Sequence, residues 1–244
     1  MKGYRRATVK SNVEIATNIY EMKISYPYAF LGCPGQFYML KGWKAMDPFL
    51  ARPISIADVE ENTLSFLYEV RGKGTYLMSK LREGDSLELL GPLGKGFDTN
   101  VKGNIAIVAG GIGIAPMIYL LKSLNSRVDF YCGFRDQAYY IDKIKEYAKD
   151  IFISTESGSL GHKGFITDIF KAEKYNVVFT CGPLPMMKKV WDLCKGKKVY
   201  MSMENRMACG FGACLGCSIQ TKDGMKRVCK EGPVFSGEEV FFCD

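Results

Sequence analysis

Four cysteines near the C-terminus, Cys209, Cys214, Cys217 and Cys229, follow the order C-x4-C-x2-C-x11-C. Three thiols within nine residues and a fourth returning from a short hairpin form the ligand pattern of a plant-type [2Fe–2S] cluster. The run Met207-Ala-Cys-Gly-Phe-Gly-Ala-Cys-Leu-Gly-Cys217 supplies small residues around them. Gly210, Gly212 and Gly216 let the backbone curl over a cluster, with amides, including that of Ala213, directed at the sulfurs. A structural zinc site is the competing reading. Zinc sites generally pair two C-x2–4-C knuckles, whereas here three ligands share one loop. The pattern therefore favours the cluster, and a chain that handles electrons.

At 244 residues, with 47% hydrophobic and 24% charged, the chain has room for two domains, or one domain and an added module, around ordinary cores. No apolar run is long enough to span a bilayer, so no membrane association is expected. The basic start, Met1-Lys-Gly-Tyr-Arg-Arg6, lacks the apolar stretch of a signal peptide. Nine cysteines, an odd number, suit reduced thiols and a cytoplasmic location. Cys33, Cys132, Cys194 and Cys243 have no ligand spacing and read as incidental thiols. The net charge of +7 is scattered, without interleaved aromatics, so nucleic acid is not an expected partner. A single histidine, His162, leaves little for histidine-based acid–base chemistry.

The first hundred residues read as short strands punctuated by Gly and Pro, at 20–25, 36–40, 54–57, 64–70 and 86–90, which predicts an antiparallel barrel. One helix is expected at 75–82. From Asn104 the rhythm changes to strand and helix in alternation. Strands are expected at 105–108, 128–131, 151–154, 177–180 and 198–201, with helices at 115–124, 142–148, 164–171 and 184–195. Such alternation predicts a doubly wound parallel sheet. The expected fold is thus multi-domain α+β: an antiparallel β-barrel (1–100), a doubly wound α/β domain (101–200) and a small [2Fe–2S] module (201–244).

Val108-Ala-Gly-Gly-Ile-Gly-Ile-Ala-Pro-Met117 joins the first strand of that sheet to its first helix. Gly110, Gly111 and Gly113 keep side chains away from helix N-terminal amides that can bind a phosphate. A plain tight turn would look similar. In Ala51-Arg-Pro-Ile-Ser-Ile56, Pro53 cannot donate to a ladder, so the segment runs at an edge or has backbone open to a ligand. Arg52 offers a cation and Ser55 a hydroxyl, although a surface Arg and a core-edge Ser would read the same way. Gly72-Lys-Gly-Thr75 offers amides and a hydroxyl ahead of a helix. Cys181-Gly-Pro-Leu-Pro-Met186 ends a strand at the ligand-binding edge of the sheet. Cys181 is either a buried capping thiol or a nicotinamide contact. Arg135, after the second strand, could meet a 2′-phosphate or stack on adenine.

In this order Arg-Pro-x-Ser, Gly-x-Gly-Thr, Gly-Gly-x-Gly-x-x-Pro and Cys-Gly-Pro resemble the ferredoxin–NADP reductase superfamily over about the first 200 residues. Met203-Glu-Asn-Arg-Met-Ala-Cys209 with the cluster loop, Lys226-Arg-Val-Cys-Lys-Glu-Gly-Pro-Val-Phe235 and Gly161-His-Lys-Gly-Phe-Ile-Thr-Asp168 extend the match. Together they resemble the electron-transfer subunits of type B dihydroorotate dehydrogenases along essentially the whole chain. The resemblance implies that the barrel binds FAD and the α/β domain NAD, and that Arg52, Pro53, Ile54 and Ser55 contact the flavin and its phosphate. Leu67, Tyr68 and Glu69 would line FAD, and Gly74 and Thr75 would bind its pyrophosphate. Gly110, Gly111, Gly113 and Cys181 would receive NAD(H), and Cys209, Cys214, Cys217 and Cys229 would hold the cluster. The hairpin from Cys217 to Cys229 is short for the family, and Glu156 stands where an aspartate is expected.

The implied role is electron transfer from the FMN of a dihydroorotate-oxidising catalytic subunit through [2Fe–2S] and FAD to NAD+, in a heterotetramer with two of each subunit. No general base for an organic substrate is evident in this chain. Phe211 and Leu215 are either partner contacts or inward packing for the cluster module. A related subunit serving a hydrogenase, a sulfur reductase or a ferredoxin-dependent transhydrogenase would use the same cofactors. A non-catalytic redox sensor is the reading from a different class.

Overall fold

The computed structural model describes residues 3–241, so Cys243 lies outside the described residues. Strands β1 (Arg5–Ala16), β2 (Ile19–Ser25), β3 (Phe37–Lys41), β4 (Arg52–Glu60), β5 (Thr63–Glu69) and, after helix α1 (Lys73–Ser79), β6 (Ser86–Leu93) close an antiparallel barrel. Their order around it is β1-β2-β5-β4-β3-β6. Sequence reading misses β1. It is largely polar, and its register shifts between Val9 and Ser11 and between Glu14 and Ala16, which breaks the two-residue period. Met22, Ile24, Tyr38, Ile56, Leu64 and Phe66 fill the interior without solvent exposure.

The barrel has a seam. Arg52 to Ser55 of β4 pair with β3, but the ladder from β4 to β5 begins only at Ile56 opposite Phe66. Pro53, which lacks an amide hydrogen, lies in this one-sided stretch. On the facing strand Leu67, Tyr68 and Glu69 pair only with β2. The two strands splay, and a cleft opens between them.

The second half forms β7 (Ile105–Gly110), α2 (Ile114–Ser123), β8 (Val128–Phe134), α3 (Ile141–Lys145), β9 (Asp150–Thr155), β10 (His162–Lys163), α4 (Ile166–Ile169), β11 (Val177–Cys181), α5 (Leu184–Leu193) and β12 (Lys198–Ser202). A hairpin of β13 (Ser218–Thr221) and β14 (Gly224–Arg227) precedes β15 (Val234–Ser236) and α6 (Gly237–Val240). The large sheet runs β10-β9-β8-β7-β11-β12-β15, parallel except where β15 adds antiparallel to β12. Every residue of central β7 is buried, as its unbroken apolar run requires. Two helices are shorter than expected. The stretch from Gly164 to Lys171 keeps only α4, since Gly164 takes φ +131° and Phe170 is already extended. The 142–148 stretch gives only α3.

The cores are shared. Ala57, Leu67 and Phe97 pack with α2 and one face of the sheet. Phe37, Met39 and Leu90 of the barrel pack with the other face and with Cys217, Val228, Cys229 and Phe235. Polar ties fix the angle between barrel and sheet: the Tyr119 hydroxyl donates to the Gly32 carbonyl at 3.0 Å, and Lys122 Nζ sits 3.0 Å from Asp58 and 3.2 Å from Glu60. The C-terminal segment is stitched to both. Lys95 N donates to Gly232 O at 2.6 Å and Met203 N to Pro233 O at 2.8 Å.

Phe97 is only 7% exposed, and its ring meets Phe179 edge-on at 5.4 Å. Phe97→Ala should cost about 3 kcal/mol or more, the usual price of a large aromatic cavity. Because the core is common, calorimetry should show one transition at a lower temperature, with no separate melting of the barrel.

Candidate functional site

Arg52, Pro53, Ile54, Ser55, Leu67, Tyr68, Glu69 and Thr75 all line the cleft at the barrel seam. Gly74 lies behind Arg52: a Cβ there would stand 2.4 Å from Arg52 Nε. The bare glycine lets the guanidinium lie against the turn that opens α1. Arg52 also donates to the Leu50 carbonyl and covers the Trp43 ring at 5.3 Å. Burial lowers its pKa, but from so high a value that it stays a fixed cation. The Thr75 hydroxyl accepts from the amides of Arg71 (3.0 Å) and Gly72 (3.2 Å) and donates to Gly72 O (3.0 Å). It is committed to its own turn, leaving the first amides of α1, which no helix satisfies internally, for an anion. The Tyr68 hydroxyl is likewise engaged, donating to Asn12 Oδ1 at 3.0 Å.

The far wall is one that sequence reading misses. Ile112 just before α2, Ala115 and Pro116 in its first turn, Ser202 at the end of β12, and Met203, Glu204, Asn205 and Met207 beyond it complete the cleft. The signal for Pro116 was local, a helix start. Its facing the barrel depends on how the sheet docks.

Glu204 is the unusual charge here. Solvent reaches it through the open cleft, yet protein encloses it on the other sides. Burial raises its pKa, Arg71 opposes that rise and Glu69 adds to it. Arg71 is already paired with Glu69 at 2.6 Å, so it answers Glu204 only in part.

At the carboxyl edge of the sheet, Gly110, Gly111 and Gly113 form the turn between β7 and α2, with Gly111 at φ +54°. Cys181 ends the adjacent strand, so all four residues come together. A Cβ on Gly113 would lie 2.4 Å from Cys181 O, which is why the turn packs this tightly. Cys181 is buried in the core. Burial pushes its thiol up, Glu204 adds to this and Ser202 opposes it, so the thiol is neutral. The strand order reverses between β7 and β11, the usual ligand crevice of an open α/β sheet.

The four cysteines of the C-terminal loop lie as two neighbouring pairs. Cys214 neighbours Cys209, and Cys217 neighbours Cys229. Gly210 at φ +78° and Gly212 at φ +91° curl the loop. The Ala213 amide donates to Cys209 Sγ at 3.3 Å and that of Cys229 to Cys217 Sγ at 3.4 Å. Burial opposes ionisation of Cys209, but the amides of Cys214, Phe211 and Ala213, with the Cys214 side chain, bring its thiol down to about 6. Burial and the Cys217 neighbour push Cys229 up to about 12. Among the described residues no three such side chains converge on one ion position. Four thiols on one loop and hairpin, with amides directed at two of the sulfurs, would suit a [2Fe–2S] cluster. Phe211 and Leu215 are 51% and 62% exposed, so neither packs inward.

Residues 204–241 match the iron–sulfur cluster binding domain of dihydroorotate dehydrogenase B. Over 245 residues the chain is 49% identical to the dihydroorotate dehydrogenase B (NAD(+)) electron transfer subunit of Clostridium acetobutylicum, covering 99% of this chain and 98% of that one. The chain belongs to the family of dihydroorotate dehydrogenase B electron transfer subunits. As a member it is an oxidoreductase subunit that transfers electrons. The corresponding subunit of Clostridium perfringens is 48% identical, with 98% of each chain covered. Among solved structures, a chain of the NADH-dependent reduced ferredoxin–NADP oxidoreductase superposes with a TM-score of 0.88 at 28% identity, covering 98% of this chain and 91% of that one. A ferredoxin NADP+ reductase from Neisseria gonorrhoeae with bound FAD and NADP shares the fold, with a TM-score of 0.65, 18% identity and coverage of 83% and 94%.

Because folding raises the Glu204 pKa, the folded state favours its protonated form. That contribution is full below the ordinary carboxylate pKa and is lost as pH rises through the folded value. Glu204→Gln should therefore melt higher than the parent at pH 8, with the gap closing as pH falls towards 4. Melting curves across this range check it, and a pH-independent gap would contradict it.

Proposed function

We propose that the chain accepts single electrons at a [2Fe–2S] cluster on Cys209, Cys214, Cys217 and Cys229 and passes them through FAD in the seam cleft to NAD+. Iron–sulfur chemistry is one-electron and nicotinamide chemistry is two-electron, and the flavin supplies the exchange between them. What this chain contributes is placement. Arg52 and the first amides of α1, at Gly74 and Thr75, hold the flavin's phosphates. Pro53, Ile54, Ser55, Leu67, Tyr68 and Glu69 line its ring and chain. Gly110, Gly111 and Gly113 admit the dinucleotide phosphates, and Cys181 backs the crevice as a neutral thiol.

One observation carries the proposal. The segment after β12 walls the cleft as far as Met207, and Cys209 follows two residues later. Two residues of chain span at most about 7 Å, so the first cluster ligand stands at the edge of the flavin cleft. A Cβ on Gly210 would also meet the Met39 side chain at 2.5 Å, which seats the loop directly on the barrel.

In this reading the electron source is an FMN-containing catalytic subunit that oxidises dihydroorotate in pyrimidine biosynthesis, assembled two and two in the cytoplasm. Phe211 and Leu215, exposed on the cluster loop, are the proposed contacts. The 0.88 TM-score to the reduced ferredoxin–NADP oxidoreductase chain favours a second reading, in which a ferredoxin-linked partner takes that place. Mixing the purified chain anaerobically with the FMN subunit, dihydroorotate and NAD+ separates the two. The first reading predicts NADH only when both chains are present. No NADH there, together with NADH formed from reduced ferredoxin and a different partner, would favour the second.

A further inference from the structure

The Gly212–Ala213 peptide is held at both ends. Its N–H, on Ala213, donates to Cys209 Sγ at 3.3 Å. Its carbonyl, on Gly212, accepts from Arg227 Nη1 at 2.8 Å. In a trans peptide these two groups point in opposite directions, so a cation gripping the oxygen aims the amide hydrogen at the sulfur. It also polarises the peptide, which strengthens the N–H donor. The φ of +91° at Gly212 is what lets the plane stand this way.

Arg227 is itself fixed. Its Nε and Nη2 fork onto Glu231 Oε2 (2.9 Å) and Oε1 (2.5 Å), and its backbone amide also donates to Oε2 at 2.8 Å. Both side chains are about one-quarter exposed, and a bidentate fork is the geometry in which a surface pair holds a fixed position. The remaining nitrogen, Nη1, reaches the Gly212 carbonyl, so the guanidinium lies between the cysteine loop and the carboxylate. The order is ligand thiols, then cation, then carboxylate. The positive end of the pair faces the cysteine loop.

We infer that Arg227, oriented by Glu231, is a positioning residue that sets the reduction potential of the cluster site. This rests on the reading that the four cysteines hold a [2Fe–2S] cluster. Taking up one electron adds one negative charge there and requires no proton. A fixed cation beside the sulfurs, and a peptide N–H aimed at one of them, both favour the reduced state. Neither Arg227 nor Glu231 is a ligand, and both lie on the hairpin side of the loop rather than in the flavin cleft.

The test is a potentiometric titration of the holo chain followed by electron paramagnetic resonance, with iron content measured in parallel. Arg227→Gln should lower the midpoint potential of the cluster. Glu231→Gln keeps an oxygen that accepts from the guanidinium and so holds Arg227 in place, but removes the opposing charge and should raise it. Arg227→Lys keeps the charge but loses the fork, and should fall between the parent and Arg227→Gln. Opposite signs for the Gln variants are the expected signature, because a merely loosened loop would move both the same way. Shifts in the same direction, or unchanged potentials at full iron content, would overturn the inference. A lysine variant indistinguishable from Arg227→Gln would do the same. If Arg227→Gln retains no iron, Glu231→Gln and Arg227→Lys decide. A parent chain that takes up no iron on anaerobic reconstitution and shows no cluster signal would instead defeat the cluster reading.

Discussion

The ladder between β4 and β5 stops at Ile56 and Phe66, and the rest of the architecture follows from that gap. A fully paired barrel would close its wall. Pro53 removes one donor from the open stretch, so the backbone there loses less by remaining unpaired on one side. The gap is then completed by elements from elsewhere in the chain: the first turn of α2, and the segment from Ser202 to Met207. The cleft is thus a product of docking as much as of the barrel. The shared cores explain why docking is fixed, since Phe97 and Leu67 belong to the same buried cluster as Ile107 and Phe179.

The same segment joins the cleft to the cysteine loop. β12 leads out of the large sheet, passes along the cleft, and becomes the cysteine loop within a few residues. β15 then returns to pair with β12, which anchors the loop at both ends. The cysteine module is therefore an extension of the sheet, packed on the barrel through Met39 and Leu93. Charge is handled differently at the two ends. Glu204 faces the cleft with only partial compensation, whereas Arg227 presents a compensated cation to the cysteine loop.

Much of this is legible in the sequence, and the reason is locality. Three of the four cysteines, the glycine turn and the Arg-Pro-x-Ser run each lie within a stretch of a few residues. The structure brings the expected flavin residues to one cleft and the expected dinucleotide residues to one strand edge. The rest is less local. β1 escapes because bulges spoil its alternation. α4 is cut short by the left-handed Gly164 and by extended Phe170. Glu204 and Arg71 meet only after barrel and sheet have docked, so no spacing announces them. Arg227 and Glu231 look like an ordinary i, i+4 surface pair until the Gly212 carbonyl is seen on the guanidinium.

The central claim is that one chain carries an unbroken path between nicotinamide and the cysteine loop. Anaerobic addition of NADH to the purified holo chain alone, followed by visible absorbance, tests it most directly. The account predicts that the flavin and iron–sulfur bands both bleach without any partner present. Bleaching of the flavin with a fully oxidised iron–sulfur band, despite a cluster potential within reach of NADH, would contradict it.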